Sequence, residues 1–460
     1  MNTVERHDMP ERDAKERAGC FKEVSLGYDL KTAVAEAGRC LGCKNAPCMQ
    51  GCPVSVRIPE FLAAVKNKNI RLAGEIIKST NSLPSVCGRV CPQEIQCESK
   101  CVRGIKGKAV AIGAVERFVG DYMLDNPEAT VPAVATGKRV AVIGSGPSGL
   151  TCASELLKAG IKTDIYESLH RPGGVLVYGI PEFRLPKALV AKEIDAVVRQ
   201  GANIVTDVVV GKTVTVQELV LEYDAVFIGS GAGLPMFMNI KGENLNGVFS
   251  ANEYLTRINL MGAYDEKSAT PVMRGKNVAV IGAGNVAMDA ARTALRTGEE
   301  RVTVVYRRSR EEMPARGEEI RHAEEEGVKF RFLTNPVEML GENGWVKALK
   351  CVEMQLGEPD ASGRRRPVPV EGSEFSFETD MVIVALGTSP NPLLTSSFPN
   401  LKTGRRGTIE TDDELYTGVD NIYAGGDAVT GAATVILAMG AGRKAARSII
   451  KRLIGDKNVY

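Results

Sequence analysis

The stretch Lys138–Gly149, which reads K-R-V-A-V-I-G-S-G-P-S-G, decides the fold of this chain. Its apolar run predicts a strand, and the following turn matches G-x-G-x-x-G and leads into a helix-forming segment. The turn consists of Gly144, Ser145, Gly146, Pro147, Ser148 and Gly149. Glycines in such a turn let backbone amides at a helix N-terminus approach a pyrophosphate. The next strand-like run ends at Glu167, placed to accept hydrogen bonds from ribose hydroxyls. A lone G-x-G-x-x-G is often an ordinary turn, but with the strand, spacing and acid all present it predicts a dinucleotide-binding βαβ unit.

A second copy of this pattern begins at Lys276, where the chain reads K-N-V-A-V-I-G-A-G. Its turn consists of Gly282, Ala283, Gly284, Asn285, Val286 and Ala287, and a second strand follows at residues 302–305. Where the first unit has its acid, this unit has Arg307 and Arg308. A carboxylate there would repel a 2′-phosphate, whereas two guanidiniums can bind one through bidentate hydrogen bonds. The second unit therefore predicts NADP in preference to NAD; the alternative is a solvated basic strand end, with Arg310 nearby.

Two sites with opposite charge imply two different nucleotides, and the pairing of FAD with NADP explains both. Gly426 and Asp427 follow a predicted strand at residues 421–424, and Asp427 could accept a hydrogen bond from a ribityl hydroxyl. A predicted helix from Thr434 to Arg443 would direct its N-terminal dipole at the pyrimidine ring of a reduced flavin. Gly174, in R-P-G-G-V-L, could face the isoalloxazine. Each of these motifs taken alone is more often an ordinary turn.

The order of these patterns predicts an α/β protein with an N-terminal helical domain and two nested Rossmann-like domains. Helical spacing is visible in the first part of the chain, for example from Glu60 to Lys78, and strand patterns begin at Lys138. Strand-like runs also end at Ile228, Leu386 and Ala424, and the last two are assigned to the first sheet, so that the second unit becomes an insertion. The predicted domains are residues 1–130 (helical), 131–254 and 381–460 (FAD), and 255–380 (NADP).

Composition narrows the class of protein and partner. The chain has 460 residues, with 58 basic and 56 acidic side chains mixed along it, for a net charge of +2. This balance lacks the one-signed field that a nucleic acid or a membrane surface requires. The N-terminal segment is charged, and no apolar run approaches the length of a membrane span. We therefore expect a cytoplasmic protein that binds small ligands and proteins.

The cysteines are concentrated at one end, with nine of the eleven before residue 102. The first group is Cys40-x2-Cys43-x4-Cys48-x3-Cys52-Pro53, and the second is Cys87-x3-Cys91-Pro92 followed by Cys97-x3-Cys101. The first group is close to the bacterial ferredoxin run except for its second gap. Structural zinc is the competing interpretation, but zinc sites favour paired C-x2-C units. Iron-sulfur clusters also suit a flavin, which releases electrons singly. The flavin half lacks C-x-x-C and C-x4-C, so dithiol chemistry is excluded there.

Several longer stretches carry a family resemblance over nearly the whole chain. They are R-C-L-G-C-K-N-A-P-C-M-Q-G-C-P, V-C-G-R-V-C-P-Q, A-I-G-A-V-E-R-F, V-I-G-S-G-P-S-G-L, G-I-P-E-F-R-L-P-K, V-Y-R-R and A-G-G-D. In these the chain resembles the small subunit of NADPH-dependent glutamate synthase. The matching subunit of NADH-dependent ferredoxin:NADP oxidoreductase and the N-terminal half of dihydropyrimidine dehydrogenase share them.

The resemblance implies two 4Fe-4S clusters with interleaved ligands. The first would be held by Cys40, Cys43, Cys48 and Cys101, and the second by Cys52, Cys91, Cys97 and Glu116. Without the resemblance, Glu116 would be read as a helix surface residue. Cys87 and Cys20 are left as non-ligands, and Arg184 in P-E-F-R would lie near the flavin.

These inferences together predict an oxidoreductase that moves electrons between NADP(H), FAD and two clusters and passes them to a partner subunit. Hydride transfer requires no acid or base from the protein, so no catalytic side chain is expected. We expect the partner to be a glutamate synthase large subunit or a ferredoxin-reductase-like subunit, because 460 residues filled by cofactor modules leave no room for glutaminase or synthase sites. The alternative is the large subunit of an electron-bifurcating NADH-dependent ferredoxin:NADP oxidoreductase, and a non-enzymatic iron-sulfur redox sensor is the remote alternative.

Overall fold

The structure is a computed structural model that describes residues 5–127, 133–265, 267–361 and 363–455. Its α/β class, with a helical N-terminal part followed by two parallel sheets, confirms the sequence prediction. The helical part contains α1 (Ala14–Ala18), α2 (Leu30–Ala37), α3 (Pro47–Gln50), α4 (Ile58–Lys66), α5 (Ile70–Lys78), α6 (Pro84–Val90) and α7 (Ile112–Asp125), with 3-10 turns at Gln93–Ile95, Glu98–Lys100 and Val102–Ile105.

The helical pattern from Glu60 to Lys78 is divided between two helices. Lys68, between α4 and α5, has a φ of 60°, which an α-helix does not accommodate. Asn69 then caps α5, and its side chain accepts a hydrogen bond from the backbone N–H of Leu72 at 3.2 Å. After this break α4 and α5 pack against each other, and both contribute to the core cluster that includes the cysteines.

The remaining elements follow in chain order. Up to the second glycine-rich turn they are β1 (Arg139–Ile143), α8 (Pro147–Lys158), β2 (Lys162–Tyr166), α9 (Val175–Tyr178), α10 (Lys187–Arg199), β3 (Asn203–Val205), α11 (Val216–Glu222), β4 (Ala225–Ile228), β5 (Leu234–Pro235), β6 (Val248–Ser250), α12 (Ala251–Asn259) and β7 (Asn277–Ile281). After it they are α13 (Asn285–Thr297), β8 (Arg301–Val305), α14 (Gly317–Glu326), β9 (Lys329–Arg331), β10 (Thr334–Glu342), β11 (Trp345–Pro359), β12 (Arg365–Pro369), β13 (Phe375–Glu378), β14 (Met381–Val384), β15 (Thr388–Ser389), α15 (Pro392–Ser397), β16 (Ile422–Ala424), α16 (Asp427–Thr430) and α17 (Val435–Ile454).

The first parallel sheet has the strand order β16-β4-β1-β2-β3. The strand that ends at Ile228 pairs with β1, and the strand that ends at Ala424 pairs with β4. The last strand of the chain therefore returns to the first sheet, as the sequence predicts. This return brings the turn at Gly426 beside the turn at Gly146, since the carboxyl ends of parallel strands meet at one edge.

The second parallel sheet has the order β6-β14-β7-β8-β9. The run that ends near Leu386 forms β14 in this sheet, between β6 and β7, so its assignment to the first sheet was wrong. A fully buried apolar strand looks the same in either sheet, and its sequence therefore carries no signal for its neighbours. Because β6 precedes residue 255 and β14 follows residue 380, the second sheet extends beyond both predicted bounds of the insertion.

The chain forms an antiparallel sheet of β10, β11, β12 and β13 after β9 and before β14, and this sheet was not predicted. Along β11 buried and exposed residues alternate, which is typical of a sheet with one face covered. Its buried side, which includes Met339, Leu349 and Cys351, packs against the parallel strands at Val382 and Val384. Cys351 is thus a core residue.

The long helix α17 connects the first sheet to the cysteine-rich part. A Cβ at Gly442 would collide with the carbonyl oxygen of Ser148, so α17 and α8 meet backbone to backbone. On the same helix, the position of a Cβ at Gly440 lies 3.1 Å from the carbonyl oxygen of Pro53, and Arg443 Nη1 donates to the carbonyl of Val54 at 2.8 Å. None of the helices in the described ranges combines the length and apolar character needed to cross a bilayer.

We predict that Gly442→Ala destabilises the protein by about 1–3 kcal/mol, because the added methyl group separates two closely packed helices. The measurement is the apparent Tm of the purified protein, which should fall. Gly317→Ala is the matched control, since a Cβ there meets nothing within 4 Å. Equal melting temperatures for the two variants would show that α17 and α8 do not meet as described.

Candidate cofactor sites

The first glycine-rich turn contains two kinds of glycine. Gly144 has a φ of 98°, and a Cβ there would lie 2.6 Å from the carbonyl oxygen of Gly229, while a Cβ at Gly149 would collide with the carbonyl of Gly144. At these two positions the neighbouring backbone of the protein leaves no room for a Cβ, so glycine is required whether or not a ligand binds. Gly146 has an ordinary φ of −69°, and a Cβ there would meet no protein atom within 4 Å. The open space above Gly146 is the shape that a bound pyrophosphate needs.

The second turn repeats this division. Gly282 has a φ of 129°, and a Cβ there would collide with the carbonyl of Ala385. Gly284 has a φ of −83° and its nearest neighbour, Pro314, is 4.0 Å from the Cβ position. Beyond it, Val286 is 44% exposed and Ala287 is buried. The side chain of Asn285 accepts a hydrogen bond from the backbone N–H of Arg316 at 2.9 Å, which fixes the loop that borders the turn.

Glu167 lies where the sequence predicts, at the end of β2 beside the first turn. Its buried carboxylate accepts hydrogen bonds from the backbone N–H groups of Ser145 at 3.0 Å and of Leu169 at 2.9 Å, and from the hydroxyl of Ser145. The hydroxyl of Ser145 accepts in turn from the N–H of Gly173. Glu167 therefore also holds the turn in shape. Nothing in the sequence indicated this role of Ser145.

Three further predicted residues converge on the same turn. A Cβ at Gly174 would lie 2.9 Å from the Cα of Gly146, and a Cβ at Gly426 would lie 2.9 Å from the Cβ of Ser148. The hydroxyl of Ser148 and the Oδ1 atom of Asp427 are buried, and neither has a hydrogen-bond partner among the described residues. Burial raises the pKa of Asp427 to about 6. Two orphaned polar groups beside an open glycine fit a polar ligand such as a flavin nucleotide.

Thr434 caps α17, and its hydroxyl accepts a hydrogen bond from the N–H of Leu437 at 3.3 Å. The predicted helix 434–443 is thus the first half of a helix that extends to Ile454. A helix of this length directs a partial positive charge out of its N-terminus. The short helix α16 starts at Asp427 and directly precedes α17 in the chain. The partial positive charge at the N-terminus of α17 and Asp427 are therefore close in sequence.

The two arginines of the second unit differ in their surroundings. Arg307 is exposed, and no ion pair to it is found in the described ranges. Arg308 is 6% exposed, and its guanidinium donates to Asp360 Oδ2 at 2.6 Å and to the carbonyl of Arg365 at 2.8 Å. Both line one open pocket together with Arg366. Arg310 pairs with Glu324 instead. A role for both arginines at a 2′-phosphate stays a prediction, with Arg307 the freer of the two.

Arg184 is held by an ion cluster that sequence reasoning missed. Its guanidinium pairs with Asp289 at 2.7 Å and with Glu319 at 2.8 Å, and Glu319 also pairs with the buried Arg292. These contacts join the segment after α9 to α13 and α14. Arg184 therefore fixes one module against the other. Its placement near a flavin stays a prediction, and only a three-dimensional contact could have revealed its partners.

The four cysteines of the first predicted set line one cavity. They are Cys40, Cys43, Cys48 and Cys101. Apolar residues and two cations, Lys100 and Arg103, complete its wall, and none of its lining residues is a carboxylate. Burial, together with the nearby Cys101 and Cys40 thiols, raises the pKa of Cys48 to about 11. Thiols so close to one another and so poorly solvated are suited to share a metal centre.

The second predicted set also converges, at a more buried place. Burial, together with Glu116 and Cys91, raises the pKa of Cys52 to about 11. Burial also raises the pKa of Cys97, with contributions from the adjacent Glu98 and from the nearby Glu116, Cys52 and Cys91. Glu116 itself is 8% exposed, and burial raises its pKa to about 7, although a hydrogen bond from Asn81 opposes this. The carboxylate that would be read as a surface residue from the sequence is therefore buried, and it lies near the thiols of Cys52 and Cys97.

The spacing of the cysteine sulfurs bears on the choice between a cluster and zinc. No three cysteine sulfurs among the described residues lie within 4.8 Å of one another. A tetrahedral zinc ion with Zn–S bonds of about 2.3 Å would hold its sulfurs about 3.8 Å apart. A 4Fe-4S cluster separates its thiolates more widely, because four irons stand between them. The donor sets therefore fit clusters better than single zinc ions. Cys87 lies beside the second set, with its sulfur 3.5 Å from the sulfur of Met439.

We predict that Gly146→Ala and Gly284→Ala fold normally and that each loses one nucleotide. Neither change strains the backbone or meets protein atoms, but each methyl group occupies the space left for a pyrophosphate. Gly146→Ala should be purified with little flavin, and Gly284→Ala should bind NADPH weakly while it retains its flavin. Flavin absorbance per chain and NADPH titration measure the two losses, and circular dichroism checks the fold. Full binding in both variants would contradict the assignment of these turns.

Comparison with known proteins places the chain among redox enzymes. A family described as dihydropyrimidine dehydrogenase domain II, 4Fe-4S cluster, matches residues 17–128, and one described as pyridine nucleotide-disulphide oxidoreductase matches residues 138–442. A glutamate synthase [NADPH] small chain of Halomonas elongata is 38% identical over 98% of this chain and 97% of its own length. An NADP(+)-dependent formate dehydrogenase subunit beta of Moorella thermoacetica is 41% identical over 93% of this chain. The chain spans only 63% of that relative.

Among solved structures, FprA of Mycobacterium tuberculosis in complex with NADPH matches 70% of this chain and 85% of its own, with a TM-score of 0.59 and 23% identity. That likeness shows the fold of the two parallel sheets. The family models and the glutamate synthase small chain together show the family. The chain belongs to the pyridine nucleotide-disulphide oxidoreductases and, through its 4Fe-4S domain, to the group that contains the glutamate synthase small chains, so it is a pyridine-nucleotide-dependent oxidoreductase.

Proposed function

We propose that this chain takes hydride from NADPH onto FAD and passes the electrons singly through two 4Fe-4S clusters to a partner subunit. The observation that carries the proposal is the position of α17. This helix contacts the first glycine-rich turn at Ser148 and the loop after Cys52 at Pro53 and Val54. A bound flavin supplies the required chemistry, because it accepts two electrons as hydride and releases them one at a time. The protein has to bind and orient the cofactors.

The flavin nucleotide would lie over Gly146. Ser148 and Asp427 would give their unpartnered polar atoms to it, and Glu167 would share its carboxylate between Ser145 and a ribose. The N-terminus of α17, at Thr434, would stabilise negative charge on the pyrimidine side of the ring. This arrangement satisfies the buried polar groups that the protein alone leaves open.

The NADPH would lie over Gly284, with its 2′-phosphate at Arg307. Arg308 would act from a fixed position, since Asp360 and the carbonyl of Arg365 already hold its guanidinium. One mobile and one tethered guanidinium can close on a phosphate at a low cost in side-chain entropy. A neutral ribose hydroxyl offers these groups no comparable charge, so NADPH is preferred over NADH.

The two cysteine sets suggest an order for the clusters. In the second set Cys91, Cys97 and Glu116 are buried and Cys52 is partly buried, whereas all four cysteines of the first set are only partly buried. A buried centre next to the flavin module suits the entry of electrons, and a centre nearer the surface suits their exit. The partner would then approach the first cluster.

For the partner, we propose the large subunit of a glutamate synthase, with a ferredoxin-reductase-like subunit as the alternative. The support is similarity: a glutamate synthase small chain is 38% identical to this chain over 98% of its length. The glutamate synthase relative is named a small chain and the formate dehydrogenase relative a subunit, so each is part of a larger enzyme. Co-purification of the tagged chain under anaerobic conditions tests this, and a large partner with glutaminase activity is the expected result.

We predict about eight irons per chain in protein purified without oxygen, and about four in Cys48→Ser, which should lose the first cluster only. The matched control is Cys351→Ser, because Cys351 is buried in the antiparallel sheet and should leave the iron content unchanged. Iron per FAD is the measurement. On rapid anaerobic mixing, NADPH should bleach the flavin absorbance in all three proteins. Zinc in place of iron, or no bleaching of the flavin absorbance in the parent protein, would contradict the proposed function.

We predict that Arg307→Ala raises the KM for NADPH at least 10-fold and leaves the KM for NADH nearly unchanged, because a lost charge-assisted contact to a phosphate costs about 1.5–3 kcal/mol. Arg310→Ala is the control, since Arg310 already pairs with Glu324. Steady-state kinetics with an artificial electron acceptor give both constants. Equal losses for the two nucleotides would place the phosphate elsewhere.

A further inference from the structure

The side chain of Asn81 forms hydrogen bonds both to Glu116 of the second set and to the segment that leads to Cys91. Asn81 is completely buried in the loop that joins α5 to α6. Its Nδ2 donates to Glu116 Oε1 at 2.7 Å, and Glu116 projects from α7. Its Oδ1 accepts from the backbone N–H of Leu83 at 3.0 Å, just before α6, the helix that ends next to Cys91. One side chain thus joins the carboxylate to the segment that supplies a thiolate.

The orientation of this amide is fixed by chemistry. The N–H of Leu83 can only donate, so the oxygen of the Asn81 amide has to face it. The thiol of Cys87 also lies near this oxygen, at 3.6 Å. The amide nitrogen is therefore the group that meets the Glu116 carboxylate. A reversed amide would oppose two N–H groups on one side and two oxygens on the other, both deep in the core.

Glu116 has little else to orient it. Among the described residues, Asn81 supplies the one hydrogen bond to its carboxylate. Because that bond engages Oε1, rotation of the carboxyl group is restricted and Oε2 is left available to a metal. Groups that hydrogen-bond to a metal ligand fix its orientation, and losing them typically costs about 10- to 100-fold in metal affinity.

We propose that Asn81 is a positioning residue for the second iron-sulfur cluster: it holds Oε1 of Glu116 so that Oε2 faces the metal. The proposal rests on the proposed function, which makes Glu116 a ligand. Asn81 itself does not touch the cluster. Its role is to determine which oxygen of the carboxylate is free and in which direction that oxygen points.

The test uses the full-length protein purified without oxygen. Asn81→Asp keeps an acceptor for the Leu83 N–H but removes the donor to Glu116, and Asn81→Ser removes the reach to Glu116 without adding charge. Asn421→Asp is the matched control, because it removes one donor to a backbone carbonyl, that of Tyr223, in the first sheet. The second cluster is followed by the EPR signal that survives in Cys48→Ser.

Both Asn81 variants should lose iron from the second cluster to a chelator about 10-fold faster than the parent protein and should show an altered EPR signal and reduction potential for that cluster. The first cluster, and both clusters of Asn421→Asp, should be unchanged. If Asn81→Asp does not fold, the result from Asn81→Ser decides. A second-cluster signal and iron release equal to those of the parent protein would overturn the proposal.

Exchanging donor and acceptor gives a sharper test. In Glu116→Gln alone, the Asn81 amide still engages the single oxygen of the new amide, so its NH2 group faces the metal and cannot ligate. In Asn81→Asp with Glu116→Gln, the introduced carboxylate accepts from that NH2 group and the oxygen turns toward the metal. The double variant should therefore retain the second cluster better than either single variant. Losses that simply add would contradict positioning by a hydrogen bond.

Glu116→Ala separates the two hypotheses. If this variant leaves the second cluster's signal unchanged, Glu116 is not a ligand and the ligand set of the proposed function is wrong. If it changes the signal while both Asn81 variants leave it unchanged, the ligand set stands and the role of Asn81 is wrong.

Discussion

The backbone contact between α17 and α8 is the constraint on which the rest of the structure depends. Gly442 lets the two helices touch at Ser148, within the turn that would hold the flavin, and a different face of α17, at Gly440 and Arg443, meets Pro53 and Val54 next to Cys52. Because α17 is a single rigid element, the flavin turn and the second cysteine set have a fixed separation. The proposed electron route therefore depends on helix packing and not on a flexible linker.

Burial of polar groups is the second organising feature. Buried thiols and the buried carboxyl of Glu116 are costly in a protein core unless a ligand compensates them. The raised pKa values of Cys48, Cys52 and Glu116 reflect that cost. A cluster would bind the deprotonated groups, so its assembly and the stability of the helical part should be coupled. The unpartnered atoms at Ser148 and Asp427 imply the same relation between flavin and the first sheet.

Much of this could be predicted from the sequence, because some features are local. The two glycine-rich turns lie between a strand and a helix, Glu167 follows β2, and a helix follows Thr434, as predicted, because these features depend on neighbouring residues. The division of the cysteines into two ligand sets stays a prediction from the resemblance, and the resemblance, not the spacing, also pointed to Glu116. The features that were missed are long-range: the place of β14 in the second sheet, the hold of Asp360 on Arg308, and the partners of Arg184. Sequence periodicity describes one element at a time and carries no information on such contacts.

The central claim is that two iron centres and one flavin occupy these particular sites in a single chain. The most direct measurement is a crystal structure of the anaerobically purified protein with anomalous data at the iron edge. The account predicts two iron peaks, one among Cys40, Cys43, Cys48 and Cys101 and one between Cys52 and Glu116, with flavin density over Gly146. A single iron peak, a peak at the zinc edge, or a second centre without contact to Glu116 would contradict it.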